Sequence, residues 1–465
     1  MQEIFIAHKK TSQKLRLGTI RDRKEKLQRL LNWIYTNRDL ITKAIYEDLG
    51  KPVVEVELTE ILPVTTEIKM AINNLNSWAR NKKVPTSLIN LGTQSYIKYE
   101  PKGTNLIIAP WNYPFNLTLS PLLSAIAAGN TAIIKPSERV EATADLLIKL
   151  TTDLFDQDEI KVVKGGIKET QELLKLPFDH IFFTGSPKVG KIVMEAASKN
   201  LTSVTLELGG KSPAIVDSTA NIKDAARKLS WGKFTNCGQT CIAPDYILVH
   251  ESKFEALKTE IIRSTNKLYD NEKKGIINSD DYSRIIDEHH IDHLDGLVDQ
   301  ATSNGAILDM GGESEREKNY YPPTMLSDVN FDAKLMQDEI FGPVLPIHQF
   351  SNLDEALDII NERPKPLALY LFTRSKKNQQ RVINETSSGG VNINDNLIQF
   401  ANNNLPFGGI NNSGLGNSHG YHGFLAFSNE KAIMKQRVGR TLVSIFYPPY
   451  SKFLERIVKL VVRYF

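Results

Sequence analysis

Apolar side chains recur at helical spacing through the first part of the chain and then change period. Leu27, Leu30, Leu31 and Ile34 stand at i, i+3, i+4 and i+7 and predict a helix. Ile41, Ala44 and Ile45 predict a second, which Gly50 would end. Leu58, Ile61, Leu62, Ile68, Ile72 and Leu75 predict a third. Across residues 84–103 the pattern breaks. Pro85 and Gly92 punctuate it and residues 95–99 alternate, which predicts a hairpin projecting from the first domain. From Asn105 the chain reads strand (105–109), helix (120–128), strand (131–135), helix (142–155), strand (160–163), strand (180–183) and helix (189–198). A second series follows Glu207, with strands at 214–216 and 246–249 and helices from Ile222 and Phe254. This alternation predicts a doubly wound, mainly parallel α/β sheet. Residues 270–317 are the most polar part and predict surface loops and helices.

A length of 465 residues allows two or three domains, and 41% hydrophobic with 24% charged residues is ordinary for a soluble globular protein. A net charge of +3 gives no argument for nucleic acid. The charge is uneven, however. Residues 431–465 hold eight basic and one acidic residue, +7 against −4 for the rest, so the tail is a separate electrostatic object. The only cysteines are Cys237 and Cys241, outside any CxxC motif, and no second Cys/His cluster has zinc spacing. Reduced thiols, no metal and a cytoplasmic setting are expected. MQEIFIAHKK lacks the apolar core of a signal peptide. No apolar run reaches the ~18–20 residues of a spanning helix.

Both cysteines lie in WGKFTNCGQTCIAPDYILVH, residues 231–250, where a short polar loop runs into a strand. A thiol so placed suits a nucleophile, but buried, inert cysteines are commoner and local spacing supplies no base. TGSPKVG, from Thr184 to Gly190, joins a strand to a helix, so backbone N–H groups could face a phosphate; on spacing alone a plain βα turn is the commoner reading. KPSE, from Lys135 to Glu138, ends another strand, where ribose hydroxyls could be held or a helix simply started. In PWNYPF, Asn112 offers an amide donor suited to an oxyanion, or a structural amide among packed rings. In ELGGK, Glu207 lies between Leu206 and Leu208 before two glycines, a setting that would line a cleft and raise its pKa towards that of a useful base.

These motifs, with EIFGPV, GGVNIND and LPFGG…NSGLG, occur in an order that resembles the aldehyde dehydrogenase superfamily from about residue 15 to 430. The class 3 branch is most similar, through ITKAIYEDLGKP, AIAAGNTAIIKPSE, CIAPDY, NSDDYSRIIDEHHIDHL and KPLALYLFT. The resemblance implies a Rossmann-like cofactor domain (1–83 and 104–207), an α/β catalytic domain (208–420), a bridging β element for oligomerisation (84–103 with 421–440) and a basic tail (441–465). It implies oxidation of hydrophobic aliphatic or aromatic aldehydes with NAD or NADP, in a homodimer. Cys241 would be the nucleophile, Cys237 a packing neighbour, Asn112 with the Cys241 N–H the oxyanion donors, and Glu207 the base for hydrolysis of a thioester. Lys135 and Glu138 would hold the adenine-side ribose. Gly185, Ser186 and Gly190 would meet the pyrophosphate, Glu339 the nicotinamide ribose and Phe341 the ring, while Asn392 and Asn394 would buttress the catalytic loop. Pro187-Lys188 departs from the family pattern in the phosphate turn, and Glu138 would repel a 2′-phosphate, so the choice between cofactors stays open. Alternatives are a CoA-acylating dehydrogenase, a silent NAD-binding protein on the same scaffold, and a non-redox cysteine hydrolase.

In SKFLERIVKLVVRYF, Phe453, Ile457, Leu460, Val461 and Tyr464 share a helical face, with Lys452, Arg456, Lys459 and Arg463 on another. At 1.5 Å per residue this predicts a helix of ~22 Å, short of a bilayer. Docking on the enzyme, an interfacial helix on anionic lipid, and disorder compete. Peripheral membrane contact without spanning is the expectation.

Overall fold

The computed structural model describes residues 1–87 and 90–464. Leu88 and Ile89 of the predicted hairpin, and Phe465 of the tail, lie outside the described residues. The first predicted helix is Ile20–Thr36, and a reciprocal capping box between Thr19 and Asp22 starts it. The second, Arg38–Leu49, ends at Gly50 in the left-handed conformation (φ 58°). Leu27, Leu30, Ile34, Ile41 and Ile45 are fully buried, as the period requires. The third differs. Val53–Val56 passes through a π turn, Glu57–Ile61, into Leu62–Trp78. The extra residue of that turn rotates the face, so Leu58 and Leu62 meet solvent while Glu60 is buried. A further helix, Gln2–Leu15, precedes these and was not predicted. Its buried side chains are Phe5, His8, Thr11 and Ser12, too polar a set to carry the pattern.

The predicted 105–109, 131–135 and 160–163 strands are Thr104–Ile108, Thr131–Lys135 and Ile160–Val162. With His180–Gly185, Ser203–Leu208 and Gly414–Leu415 they form a six-stranded sheet. All neighbours are parallel except Gly414–Leu415, which runs antiparallel beside Ser203–Leu208. Ile107, Ile134 and Phe182 face the cluster that includes the helices of residues 20–78. Leu106, Ile108, Ile133 and Phe183 face the other side with Phe5 and Val193. The chain steps outward from Thr104–Ile108 to Ile160–Val162, then returns to the opposite side as His180–Gly185. At such a reversal the following loops diverge and leave a crevice beyond the strand ends.

A seven-stranded sheet holds, in order, Ile307–Met310, Thr324–Ser327, Val344–Phe350, Tyr246–His250, Pro213–Val216, Ala368–Phe372 and Gly390–Ile393. Only its first pair is antiparallel. The third sheet contains the expected hairpin in short form and adds a longer partner to it. Gln94–Pro101 pairs with Lys82–Lys83 at only two positions, and its long antiparallel partner is the distant Ser428–Lys435, in register from Ser428↔Pro101 to Lys435↔Gln94.

The tail forms the helix Lys452–Tyr464. Leu454 is buried and Ile457 and Val461 are partly covered, but Phe453, Leu460, Val462 and Tyr464 remain exposed. Among the described residues no helix is long and apolar enough to cross a membrane.

Candidate active site

The loops beyond Thr104–Ile108 and His180–Gly185 border a crevice of about 740 Å³. Cys241, Glu207, Asn112, Glu339, Phe341, Gly185 and Ser186 all line it. Their loops come from distant parts of the chain, and each is fixed by contacts that sequence spacing does not reveal.

The cysteine loop leaves the helix Ile222–Phe234 through three successive positive-φ residues, Asn236 (51°), Cys237 (54°) and Gly238 (74°). A non-glycine residue held there costs about 1–3 kcal/mol. Buried hydrogen bonds offset that cost. Gln239 Nε2 donates to Asn236 O at 3.0 Å and to Arg284 O at 2.9 Å, and its Oε1 accepts from Ile286 N at 3.0 Å. Asn236 Nδ2 donates to Asn112 O at 2.9 Å and to Gln239 O at 3.1 Å. Gln239 was not singled out by sequence reasoning, although its place in GQTC was visible. Cys237 points away into the core, where its Sγ meets the Tyr282 hydroxyl at 3.3 Å and burial pushes the thiol up to about 12. Cys241 is partly exposed to the crevice. Burial, then the acidic groups of Glu339 and Glu207, push its thiol up, while the N–H groups of Cys241 and Ile242 act against that shift. The resting group at neutral pH is the thiol.

Asn112 is buried on the facing loop, and its Nδ2 donates to Gln239 O at 3.0 Å. Next to it the hydroxyls of Tyr113 and Thr240 are 2.7 Å apart, a second tie between the two loops. Glu207 is the penultimate residue of Ser203–Leu208, and its register partner is Gly414. Its Oε1 accepts from Ser418 Oγ at 2.7 Å, and its Oε2 is buried with no partner among the described residues. Burial pulls the carboxyl up to about 8, against the pull of Ser418. Ser418 is another residue that sequence reasoning missed. Glu339 lies against Gly209, where an added Cβ would fall 1.8 Å from its Oε2. Burial and the Asp245 charge hold the Glu339 carboxyl well above its ordinary value. Phe341 has φ 54° and stands edge-on to Trp111, with ring centroids 5.2 Å apart, while His290 Nε2 lies 2.8 Å from its carbonyl oxygen.

Several expected contacts fall elsewhere. The helix after the phosphate turn begins at Pro187 with Ser186 as its cap, so Gly190 lies inside its first turns and not in the turn. A Cβ there would come within 2.7 Å of Leu208, so this glycine serves close helix–strand packing and does not line the crevice. Lys135 and Glu138 are also absent from the crevice wall. The buried Lys135 ammonium donates to Pro136 O at 2.7 Å and lies 3.6 Å from the exposed Glu138 carboxylate. Asn392 reaches the cysteine loop only through a relay, donating to Gln399, which donates to the Tyr370 hydroxyl, which donates to Ile242 O. Asn394 instead accepts from Thr373 N and Lys228 Nζ.

The crevice suits a dinucleotide on its own terms. The N-terminus of Pro187–Ser198 opens into it, with Lys188 and Lys191 at the rim, and Gly209 and Gly210 leave the backbone beside Glu339 uncovered. Phe400, Phe407 and His419 form an aromatic wall, with His419 stacked on Phe407 at 5.0 Å and edge-on to Phe400 at 4.6 Å. No group of His, Cys, Asp and Glu suited to a metal occurs among the described residues.

Rossmann-like parallel sheets opening on a crevice with a thiol and buried carboxyls define an α/β fold with an enzyme-like site. The model of the aldehyde dehydrogenase family matches residues 2–433, and the chain belongs to that family. It is 49% identical over 429 residues to the 4,4'-diaponeurosporen-aldehyde dehydrogenase of Staphylococcus aureus (strain NCTC 8325 / PS 47), covering 92% of each chain. It is 42% identical over 449 residues to the dimeric NADP-preferring aldehyde dehydrogenase of Rattus norvegicus, covering 96% of each. A structure of the substrate-bound state of Staphylococcus aureus AldH superposes with a TM-score of 0.94 at 46% identity over 99% of both chains.

Proposed function

We propose that this family enzyme oxidises hydrophobic aliphatic or aromatic aldehydes to carboxylic acids with NAD or NADP, through a thioester on Cys241. The observation that carries the reading is the convergence of Cys241, Asn112 and Glu207 on one crevice large enough for a dinucleotide. The aromatic wall supports an apolar substrate. In this reading Cys241 sulfur bonds to the aldehyde carbon, its proton leaving to the Glu207 carboxylate. The Asn112 amide and the Cys241 N–H receive the negative charge that develops on the aldehyde oxygen. When bound, NAD or NADP would supply the oxidant that takes up the hydride lost from that carbon. Once that first proton has passed to solvent, Glu207 takes a proton from water, whose oxygen bonds to the thioester carbon; the C–S bond breaks, the acid is freed, and Glu207 returns the proton to the Cys241 sulfur. Because Glu207 is held near 8, turnover should rise with pH up to about that value.

Gly185, Ser186 and the N-terminus of Pro187–Ser198 would receive the pyrophosphate. Glu339 and Phe341 would position the nicotinamide end, and Lys135 with Glu138, which stand beyond the crevice wall, the far ribose of a cofactor that extends out of the crevice. Residues 1–83 with 104–207 would form the cofactor domain and 208–420 the catalytic domain. The edge strand Ser428–Lys435, with 84–103, would join two subunits of a homodimer. The exposed Phe453, Leu460, Val462 and Tyr464 beside basic residues support peripheral contact of the tail with anionic lipid at a cytoplasmic surface.

The test of the chemistry is NAD(P)H absorbance on mixing wild type and Cys241→Ser with a panel of aldehydes. Turnover by wild type alone is expected, and steady turnover by Cys241→Ser near the wild-type rate would refute the mechanism. For the tail, full-length protein should sediment with anionic liposomes more than a chain ending at Gly439. Equal sedimentation would sink that reading.

A further inference from the structure

Beneath the Asn112 loop lies a cluster of charges that the chemistry above does not use. Lys51 and Glu60 are fully buried, with both side chains 0% exposed, and Lys51 Nζ donates to Glu60 Oε1 at 2.7 Å. The same ammonium donates to the main-chain oxygen of Asn112 at 3.1 Å and sits 4.1 Å from the centre of the Tyr113 ring. Glu60 Oε2 accepts from Asn116 N at 2.9 Å, at the far end of the loop. Glu55 is near enough for the Lys51 charge to act on its carboxyl, and its Oε1 accepts from Ser283 Oγ at 3.3 Å.

A buried ion pair is a poor way to gain stability, because desolvating two charges costs several kcal/mol per ion and well-packed apolar residues do as well. What this pair does provide is geometry. The Asn112 carbonyl receives two donors, Lys51 Nζ and Asn236 Nδ2, the second from the cysteine loop. Two donors on one oxygen fix the peptide plane, and that plane sets the direction of the Asn112 side chain. The π turn Glu57–Ile61 is an independent sign that the segment is built for this. It rotates Glu60 inward and exposes Leu58 and Leu62, an arrangement that apolar burial alone would not favour.

We propose that Lys51, anchored on Glu60, is a positioning residue that aims the Asn112 amide at the oxygen of the substrate aldehyde. The inference rests on the reading of Asn112 as the oxyanion donor. A donor moved by about 1 Å loses about 100-fold in rate, so the effect belongs in kcat.

Four enzymes test it: wild type, Asn112→Ala, the paired Lys51→Met/Glu60→Gln, which leaves neither charge unpartnered, and the triple variant. Each is measured for kcat and KM with hexanal and NAD, for NADH affinity by fluorescence, and for its urea midpoint. The paired variant should lose about 10- to 100-fold in kcat with NADH affinity within about twofold of wild type. The same pair should cost less than about threefold once Asn112 is already alanine. Equal fold-losses in the two backgrounds, or a wild-type kcat for the paired variant, overturn the proposal. A wild-type kcat for Asn112→Ala would instead remove the oxyanion reading beneath it. Should the paired variant not fold, Glu60→Gln alone keeps an acceptor for Lys51. It should show a smaller kcat loss with the same dependence on Asn112, and equal losses there overturn the proposal too.

Discussion

Replacing Glu207 by glutamine should make the protein more stable and less active, with the first effect growing as pH rises. The carboxyl is buried, and its environment moves it from the ordinary 4.5 to about 8. Below about pH 4.5 it is protonated in both the folded and the unfolded chain and contributes no difference. Between 4.5 and 8 only the unfolded chain releases the proton, so the folded state loses about 1.4 kcal/mol per pH unit. Above 8 the deficit is constant. The cost to the wild type is therefore about 3 kcal/mol at pH 7 and about 5 kcal/mol at pH 9, and only about 1 kcal/mol at pH 5. Glutamine has a similar shape, keeps an oxygen for Ser418 Oγ and cannot ionise. The assay is the urea midpoint of Glu207→Gln minus that of wild type at pH 5, 7 and 9. A difference that is the same at all three would show that the native site does not hold Glu207 protonated. In parallel, steady turnover should fall by about 100- to 10,000-fold, with a rapid first burst of NADH if the thioester still forms.

Three further perturbations bear on separate parts of the site. Cys237→Ala should keep turnover within about threefold of wild type and cost about 1–2 kcal/mol in urea unfolding, because its sulfur touches the core and not the crevice; loss of turnover in a folded variant would contradict this. Gly209→Ala puts a Cβ 1.8 Å from Glu339 Oε2, so NADH binding followed by fluorescence should weaken by about tenfold or more, and an unchanged affinity would detach Glu339 from the cofactor. Gln239→Leu orphans Asn236 O, Arg284 O and Ile286 N, each at about 1–3 kcal/mol, and a urea midpoint equal to wild type would show that the strained turn does not depend on this amide.

Elements governed by one dominant local signal were legible in the sequence. Leu27, Leu30 and Ile34 recur at helical spacing on a helix packed along one side, and Thr131–Lys135 is apolar because both its faces are covered. The third helix misled at Leu58 and Leu62 because a single inserted residue shifts phase without changing composition. The glycine spacing of TGSPKVG points to a turn through Gly190, whereas Ser186-Pro187 is itself a helix start, a cap followed by proline at the first helical position. For the site, the residue types at Cys241, Asn112 and Glu207 were visible, but their meeting was not. It depends on strand order and on main-chain hydrogen bonds, such as those of Gln239 and Lys51, which any residue type can receive. Only the resemblance linked the three beforehand.

The pairing of Gly414–Leu415 beside Ser203–Leu208 has a consequence for synthesis. The strand that carries Glu207 emerges from the ribosome roughly two hundred residues before its edge partner, an interval of about 10–40 s at 5–20 residues per second. Throughout that time one side of the six-stranded sheet is an open ladder of N–H and C=O groups, the kind of edge that recruits other chains. Nascent chains stalled or cut before Gly414 would therefore be prone to aggregate, even with the helices of residues 20–78 folded, and Ser418 would reach Glu207 only as that edge is sealed.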